Sequence, residues 1–388
     1  CVPVAPDFSN MIPARLTGKP FWDLYLYNDP PIWEAYIACA KHFNVDSLMD
    51  AYFPFWWPSY DKDSRPWETF IVKRDAECIV TQASYQENGR RIWNDRVNYY
   101  PVADPPTFGL DPAKIGLPAI PVRYEPLTGV KPVDLGVAGL RRVKELMGNQ
   151  GLVGIGFATT NLCGTEEAVY RFTDHPEELE QVKAHHLHQL ERKFESLMAM
   201  RREDWPDFLC VGGSGTMVLQ SPAFFREHAL PIVKRAIELA TSVGMPTHVH
   251  SCGPETELVK IMAEETSLTV IDPLEIPPMG DCNLAELKRK YGHKLVLKGN
   301  LHTTEVMLRG TPDDVRRASR QAIDRRRGRG RALYPVHRRP VRPGHTGREP
   351  VRHDRNSSHL WPIPAPGLRK NYRAMIRAWR AFGQYTAE

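Results

Sequence analysis

The sequence predicts an α/β protein, specifically a TIM (β/α)8 barrel whose last strand is disrupted in this chain. Three observations support this prediction. Short apolar runs alternate with amphipathic stretches from about residue 150, polar residues close nearly every apolar run, and the alternation stops in an arginine-rich segment after residue 324. A chain of 388 residues with 42% hydrophobic residues can bury one large core, so we expect one main domain over residues 1–324.

Five short apolar runs predict the buried strands of this domain. They are VGIGFATT (153–160), DFLCVGG (207–213), MPTHVHSCG (245–253), LTVIDPLE (268–275) and KLVLKGNL (294–301). Amphipathic patterns predict helices over residues 161–173, 176–202, 222–243, 254–266, 283–292 and 312–323. Strand–helix repetition with this count and spacing favours a barrel over an open parallel sheet.

Residues 1–150 give a weaker pattern, and we interpret them as an N-terminal extension of the barrel. VPVAPD (2–7) is a candidate first strand, and NDPPIWEAYIACAKHF (28–43) is a candidate helix with proline near its start. AYFPFWWPSY (51–60) contains six aromatic residues, which favours core or lid packing over the alternative of a substrate wall. The prolines over 101–132 predict a long loop or extension over the barrel.

Charge and cysteine content narrow the class of protein. Eleven arginines and two acidic residues between Arg325 and Arg355 give a local charge of +9, and subtracting it from the net +5 leaves −4 elsewhere. We therefore expect no specific nucleic-acid partner. The seven cysteines lack a paired framework, which indicates free thiols in the cytoplasm. No apolar run or signal pattern predicts a membrane anchor or export, and Cys1 in place of Met suggests a missing start.

The run PTHVHSCG (246–253) contains a candidate metal half-site. Residues two apart in an extended segment point to the same side, so His250 and Cys252 can present nitrogen and sulfur to one ion. Zinc prefers this pair of donors. The alternative for an isolated H-x-C is a buried histidine beside a buried cysteine. Polar residues also close the next strands, at the face where barrel enzymes carry their chemistry.

Three longer stretches together resemble the uroporphyrinogen decarboxylase superfamily. They are SPAFFREHALPIVKRAIELATSVGMPTHVHSCG (221–253), VIDPLE (270–275) and KGNLHTTEVMLRGTPDDV (298–315), within a similarity that spans about residues 150–323. The resemblance implies a TIM barrel with one of two chemistries. One branch decarboxylates the acetate groups of uroporphyrinogen without a cofactor. The other moves methyl groups between a corrinoid protein and a thiol or folate acceptor, generally with zinc.

The residues match the methyltransferase branch better. The arginine-rich loop R-Q-A-G-R of the decarboxylases is reduced here to Arg15 in MIPARLTGKP, and their G-N-L-D-P element reads GNLHT, with His302 replacing the acid. The H-x-C of the methyltransferases is matched by His250 and Cys252. We therefore expect a corrinoid-linked methyltransferase. The alternatives are a decarboxylase acting on a porphyrinogen or a smaller acid, and an inactive family member.

The resemblance also implies roles for individual residues. His250 and Cys252 would bind zinc, and the metal would deprotonate an acceptor thiol for attack on a methyl group on cobalt. Glu275 is expected to be a further oxygen ligand or to orient His250. Asn300 and His302 are expected to line the pocket, with His302 as a hydrogen-bond partner of the acceptor. The expected partners are a corrinoid protein and a small thiol or folate, with no membrane.

The third cysteine of the methyltransferase motif is expected between about residues 330 and 350, where this chain has none. Cys282 is the nearby thiol that remains, in a loop before a helix. We interpret the basic segment 325–365 as frameshifted or disordered, because codons for Gly330–Asp354 read one nucleotide later can encode a strand, a cysteine and a capping box in family order. The alternative is a genuine basic arm that binds RNA or an acidic partner. Residues 366–388 predict an amphipathic C-terminal helix.

Overall fold

The computed structural model describes Ala5 and residues 11–49 and 65–325. The aromatic run 51–60, the C-terminal helix 366–388, and all but one residue of both the first-strand candidate 2–7 and the basic segment 325–365 lie outside the described residues. The described chain divides into two compact units. The N-terminal unit contains residues 11–49, 65–153 and 196–206, and the C-terminal unit contains residues 154–195 and 207–325.

The N-terminal unit combines four helices with an antiparallel sheet. In chain order its elements are α1 (Met11–Thr17), α2 (Phe21–Tyr25), α3 (Ile32–Phe43), β1 (Ser47–Met49), β2 (Glu68–Arg74), β3 (Cys78–Glu87), β4 (Arg90–Pro101), β5 (Thr107–Leu110), β6 (Glu125–Pro126) and α4 (Gly136–Met147). Five strands form the sheet in the order β5-β4-β3-β2-β6. Strands β3 and β4 are joined at Asn88 and Gly89, which both have positive φ, as a tight hairpin turn requires.

Strand β7 (Gly151–Gly156) begins in the N-terminal unit, where β1 pairs with it in parallel. The C-terminal unit then alternates strands with helices. Its elements are α5 (Glu166–Asp174), α6 (Pro176–Ala199), β8 (Phe208–Cys210), α7 (Thr216–Leu219), α8 (Pro222–Phe224), α9 (Leu230–Ser242), β9 (Thr247–His250), α10 (Thr256–Glu265), β10 (Val270–Asp272), α11 (Leu284–Tyr291), β11 (Val296–Leu297) and α12 (Pro312–Arg325). Two π-helical turns, Phe225–Ala229 and Thr303–Leu308, interrupt this alternation.

Strands β7 to β11 pair in parallel in chain order, so the predicted α/β class with a parallel sheet is confirmed. Each of the five predicted strands is present, and the helix expected from residue 161 begins at Glu166, where the Thr165 side chain caps it. The parallel strands of residues 11–49 and 65–325 do not close into a barrel. Within the same ranges no helix has both the length and the apolar content needed to span a bilayer.

The register of the parallel sheet places the candidate residues at one edge. His250 at the end of β9 is the cross-strand neighbour of Asp272 at the end of β10. Lys298 directly follows β11, which pairs with β10 through Ile271 and Leu297. Because parallel strands end at the same edge of a sheet, the side chains that follow β9, β10 and β11 meet there.

Candidate functional site

His250 and Cys252 face each other at the end of β9. The Nε2 atom of His250 lies 3.3 Å from the Sγ atom of Cys252. Two donors of one tetrahedral zinc ion, with bonds of about 2.0 and 2.3 Å, are separated by about 3.5 Å. The two side chains therefore point to the same side, as their spacing predicted, and fit two positions around one ion.

Asp272 makes polar contacts with three neighbouring side chains, one of which is His250. Its side chain is only 2% exposed, and its Oδ1 atom accepts a hydrogen bond from Nδ1 of His250 at 2.8 Å. Nε2 of His248 lies 3.2 Å from the same oxygen, and Nζ of Lys298 contacts the other carboxylate oxygen. Asp272 therefore holds the ring of His250 with Nε2 turned toward Cys252.

A second thiol is connected to the same carboxylate through His248. Sγ of Cys210, the last residue of β8, is 3.8 Å from Nδ1 of His248. The side chains contact one another in a row whose members are Cys210, His248, Asp272, His250 and Cys252. A single buried carboxylate thus connects two imidazole–thiol pairs.

The local charges determine the protonation of this cluster. Burial acts to raise the pKa of Asp272, but Lys298, His248 and His250 outweigh it and hold that pKa well below its usual value. Burial acts to lower the pKa of His250, but hydrogen bonds with Asp272 and Cys252 raise it to about 11. Without a metal, His250 is therefore a cation between a carboxylate and a thiol.

The raised pKa of His250 predicts a pH dependence of stability. A group that binds its proton more tightly in the folded state stabilises that state below its unfolded pKa, here about 6.5, and the contribution is lost as pH rises through about 11. The unfolding free energy of the metal-free protein should therefore fall more steeply with pH across this window than that of His250→Asn. Urea titrations of both proteins measure the difference, and parallel pH profiles would contradict it.

Glu275 fixes the turn that follows Cys252. Its Oε2 atom accepts a hydrogen bond from the backbone N–H of Gly253 at 2.7 Å. Gly253 has a φ of +99°, and a Cβ there would lie 2.9 Å from a methyl group of Val218. The carboxylate that contacts Nδ1 of His250 is that of Asp272, which is paired with His250 across the sheet, and the expected role of Glu275 in orienting His250 stays a prediction. The role of Glu275 as an oxygen ligand stays a prediction.

Asn300 and His302 follow β11 and are partly buried. Nδ1 of His302 accepts hydrogen bonds from the backbone N–H groups of Thr304 and Glu305, at 3.2 and 3.1 Å, and so caps the π-helical turn. Its Nε2 atom and the Nδ2 atom of Asn300 are buried and find no hydrogen-bond partner within the described part of the chain. Their expected place in a pocket stays a prediction.

Cys282 and Glu255 are two further buried groups of the C-terminal unit, and both have raised pKa values. Sγ of Cys282 lies 3.9 Å from Oγ1 of Thr256, and burial raises the pKa of its thiol to about 12, with Glu255 adding to the effect. Burial also raises the pKa of Glu255 to about 9. No group of three or more His, Cys, Asp and Glu side chains within residues 11–49 and 65–325 is arranged to hold a metal. Among these residues the site therefore consists of the two donors His250 and Cys252.

Sequence reasoning missed four members of the cluster: Asp272, Lys298, His248 and Cys210. All four lie in the runs that were predicted as strands. His248 could have been found from the period of two that aligns it with His250. The other three depend on which strands are neighbours and in what register, and one strand's own pattern does not specify that.

The geometry defines an α/β protein with an imidazole–thiol site at the carboxyl edge of a parallel sheet. The family model described as uroporphyrinogen decarboxylase (URO-D) matches residues 206–333, which include the site. Over these residues the match confirms the resemblance to the uroporphyrinogen decarboxylase superfamily that the sequence motifs predicted.

Individual proteins are also similar to this chain. A methylcobamide:CoM methyltransferase, MtbA, of Methanosarcina mazei is 25% identical over 103 residues, which are 26% of this chain and 28% of the relative. The chain thus aligns with little more than a quarter of that relative's length. A solved structure of a methyltransferase from Methanosarcina mazei is 15% identical, with 64% of each chain covered and a TM-score of 0.41. At that TM-score the likeness establishes neither a shared fold nor a shared activity.

Proposed function

We propose that this protein is a zinc-dependent methyltransferase that moves a methyl group between a corrinoid protein and a thiol or folate acceptor. The proposal rests mainly on the short distance of 3.3 Å between Nε2 of His250 and Sγ of Cys252. Asp272 fixes the ring of His250 through a hydrogen bond to Nδ1. The match of residues 206–333 to the uroporphyrinogen decarboxylase family model and the similarity to a methylcobamide:CoM methyltransferase support it.

The two donors fit zinc in kind and in spacing. Imidazole nitrogen and thiolate sulfur are the ligands zinc prefers, and a histidine that binds a metal through one ring nitrogen commonly donates from the other to a carboxylate. Asp272 supplies that carboxylate. Open catalytic zinc sites use three protein ligands, and Glu275, beside the turn after Cys252, is the proposed oxygen donor.

Zinc held by His250 and Cys252 would lower the pKa of an acceptor thiol, and the resulting thiolate would attack the methyl carbon as the carbon–cobalt bond breaks and its electron pair stays on the corrinoid cobalt. The residues of the chain prepare this step. Asp272 accepts the Nδ1 proton of His250 in a hydrogen bond and so leaves Nε2 to bind the metal once its own proton is released. Lys298 keeps Asp272 ionised, and Glu275 fixes the backbone after Cys252 through Gly253.

The proposal extends to architecture and location. We propose that residues 1–324 form a (β/α)8 barrel whose last strand is disrupted in this chain, with residues 1–150 as its N-terminal extension. The six described cysteines form no disulfide, which supports a place in the reducing cytoplasm.

Methyl transfer from free methylcobalamin to a thiol tests the function directly. The expected result is a zinc-dependent loss of the methylcobalamin absorption with 2-mercaptoethanol as acceptor, abolished by a chelator and by Cys252→Ser. A Cys163→Ser variant is the matched control, because Cys163 is buried and has no place in the site. Decarboxylation of uroporphyrinogen by metal-free protein, with no methyl transfer, would overturn the proposal.

A further inference from the structure

The hydrogen bonds of His302 determine which of its ring nitrogens can donate to a ligand. A nitrogen that accepts hydrogen bonds carries its lone pair there, and Nδ1 accepts from the N–H groups of both Thr304 and Glu305. The proton of the neutral ring must therefore lie on Nε2. With Nδ1 used as an acceptor in this way, the ring presents its Nε2–H group to any ligand as a hydrogen-bond donor.

This donor is buried without an acceptor. Nε2 of His302 has no hydrogen-bond partner among the described residues, and Nδ2 of Asn300, two residues earlier, is in the same condition. Buried N–H groups in folded proteins are almost always paired, because an unmet donor loses its bond to water without compensation. Two such donors within three residues indicate a place where something else supplies the acceptor.

The segment that carries both donors starts at the cluster around Asp272. Lys298, two residues before Asn300, contacts the carboxylate of Asp272, which in turn binds His250. The donors also follow β11, whose carboxyl end lies at the same sheet edge as those of β9 and β10. Gly299 allows the backbone to pass close to Pro273, because a Cβ atom at position 299 would lie 1.9 Å from the carbonyl oxygen of Pro273.

We infer that Asn300 and His302 bind an oxygen acceptor group of the substrate, a carboxylate or a carbonyl. Two N–H donors match the lone pairs of such an oxygen and give nothing to an ammonium group. The inference rests on the proposed function only in taking this substrate to be the methyl acceptor. The donor pair itself exists without metal, so it can be tested apart from zinc and methyl transfer.

Three probes of similar size separate the chemistries: propionate, propionamide and propylammonium. The full chain, ¹⁵N-labelled at histidine and free of added metal, is titrated with each while the Nε2 resonance of His302 is followed by NMR. Propionate or propionamide should shift that resonance and bind at least about tenfold more tightly than propylammonium. The tighter of the two distinguishes a carboxylate from a carbonyl ligand. Equal or tighter binding of propylammonium would overturn the inference.

Two variants separate binding from capping. In His302→Asn the shorter side chain can still cap the π-helical turn, because asparagine is among the best N-cap residues, but the remote donor is gone. In His302→Ala both are lost. We expect His302→Asn to keep the melting temperature and bind the preferred probe at least about tenfold more weakly, and His302→Ala to lose both. Unchanged probe binding by His302→Asn would refute the site, whether or not the protein transfers methyl groups.

Discussion

Replacing Cys252 with serine is expected to strip zinc from the purified protein. A serine hydroxyl stays protonated where a cysteine thiol becomes a thiolate, so one of the two donors of the site is lost. Loss of a residue that merely orients a metal ligand costs about 10–100-fold in metal affinity, and loss of a ligand itself should exceed about 100-fold. Competition against a chromophoric chelator measures this change, and elemental analysis gives the stoichiometry.

The other thiols of the C-terminal unit provide matched controls for this experiment. Cys282→Ser removes a buried thiol whose pKa is raised to about 12, and Cys210→Ser removes the thiol beside His248. Both variants should retain stoichiometric zinc if His250 and Cys252 form the site. A Cys252→Ser protein that binds zinc as tightly as the wild type would show that the metal, if any, lies elsewhere.

Replacing Asp272 with asparagine should have two separate effects. Asp272 is almost fully buried against Lys298, and removing one partner of a buried ion pair costs about 3–5 kcal/mol, because the other charge is left uncompensated. The same change removes the carboxylate that accepts from Nδ1 of His250, which should cost about 10–100-fold in zinc affinity. Urea unfolding of the metal-free protein measures the first effect, and zinc competition measures the second.

A second substitution distinguishes the two effects. Adding Lys298→Met to Asp272→Asn removes the uncompensated charge of Lys298, so part of the lost unfolding free energy should return. Zinc affinity should not return, because His250 still lacks its carboxylate. If both quantities recover together, the contribution of Asp272 to metal binding is only structural. If the single variant Asp272→Asn keeps wild-type zinc affinity, Asp272 does not orient the ligand.

The C-terminal unit could be predicted because its strands are short apolar runs with polar ends, and buried parallel strands have that pattern. The antiparallel sheet of the N-terminal unit was missed, although its strongest signal is in the sequence. Asn88 and Gly89 form the tight turn between β3 and β4, and an Asn-Gly pair between two strand-forming runs is a strong hairpin signal. The many prolines after residue 100 favoured a loop instead.

Within the candidate site, the pair His250 and Cys252 could be predicted from the sequence, and the contact of His250 with Asp272 could not. His250 and Cys252 are two residues apart on one strand, so their shared direction follows from strand geometry alone. Asp272 reaches His250 only because β10 pairs with β9 in one particular register. The prediction named Glu275 because it ends the apolar run that contains β10. The residue that the register places beside His250 is Asp272, three residues earlier. Contacts between strands require the register, which local sequence does not specify.

X-ray absorption at the zinc edge of the zinc-loaded protein tests the central claim most directly, because it reports the atoms bound to the metal. The account predicts at least one sulfur at about 2.3 Å together with nitrogen or oxygen at about 2.0 Å, and the loss of that sulfur in Cys252→Ser. A zinc ion surrounded only by oxygen and nitrogen in the wild-type protein, or the same sulfur shell in Cys252→Ser, would contradict it.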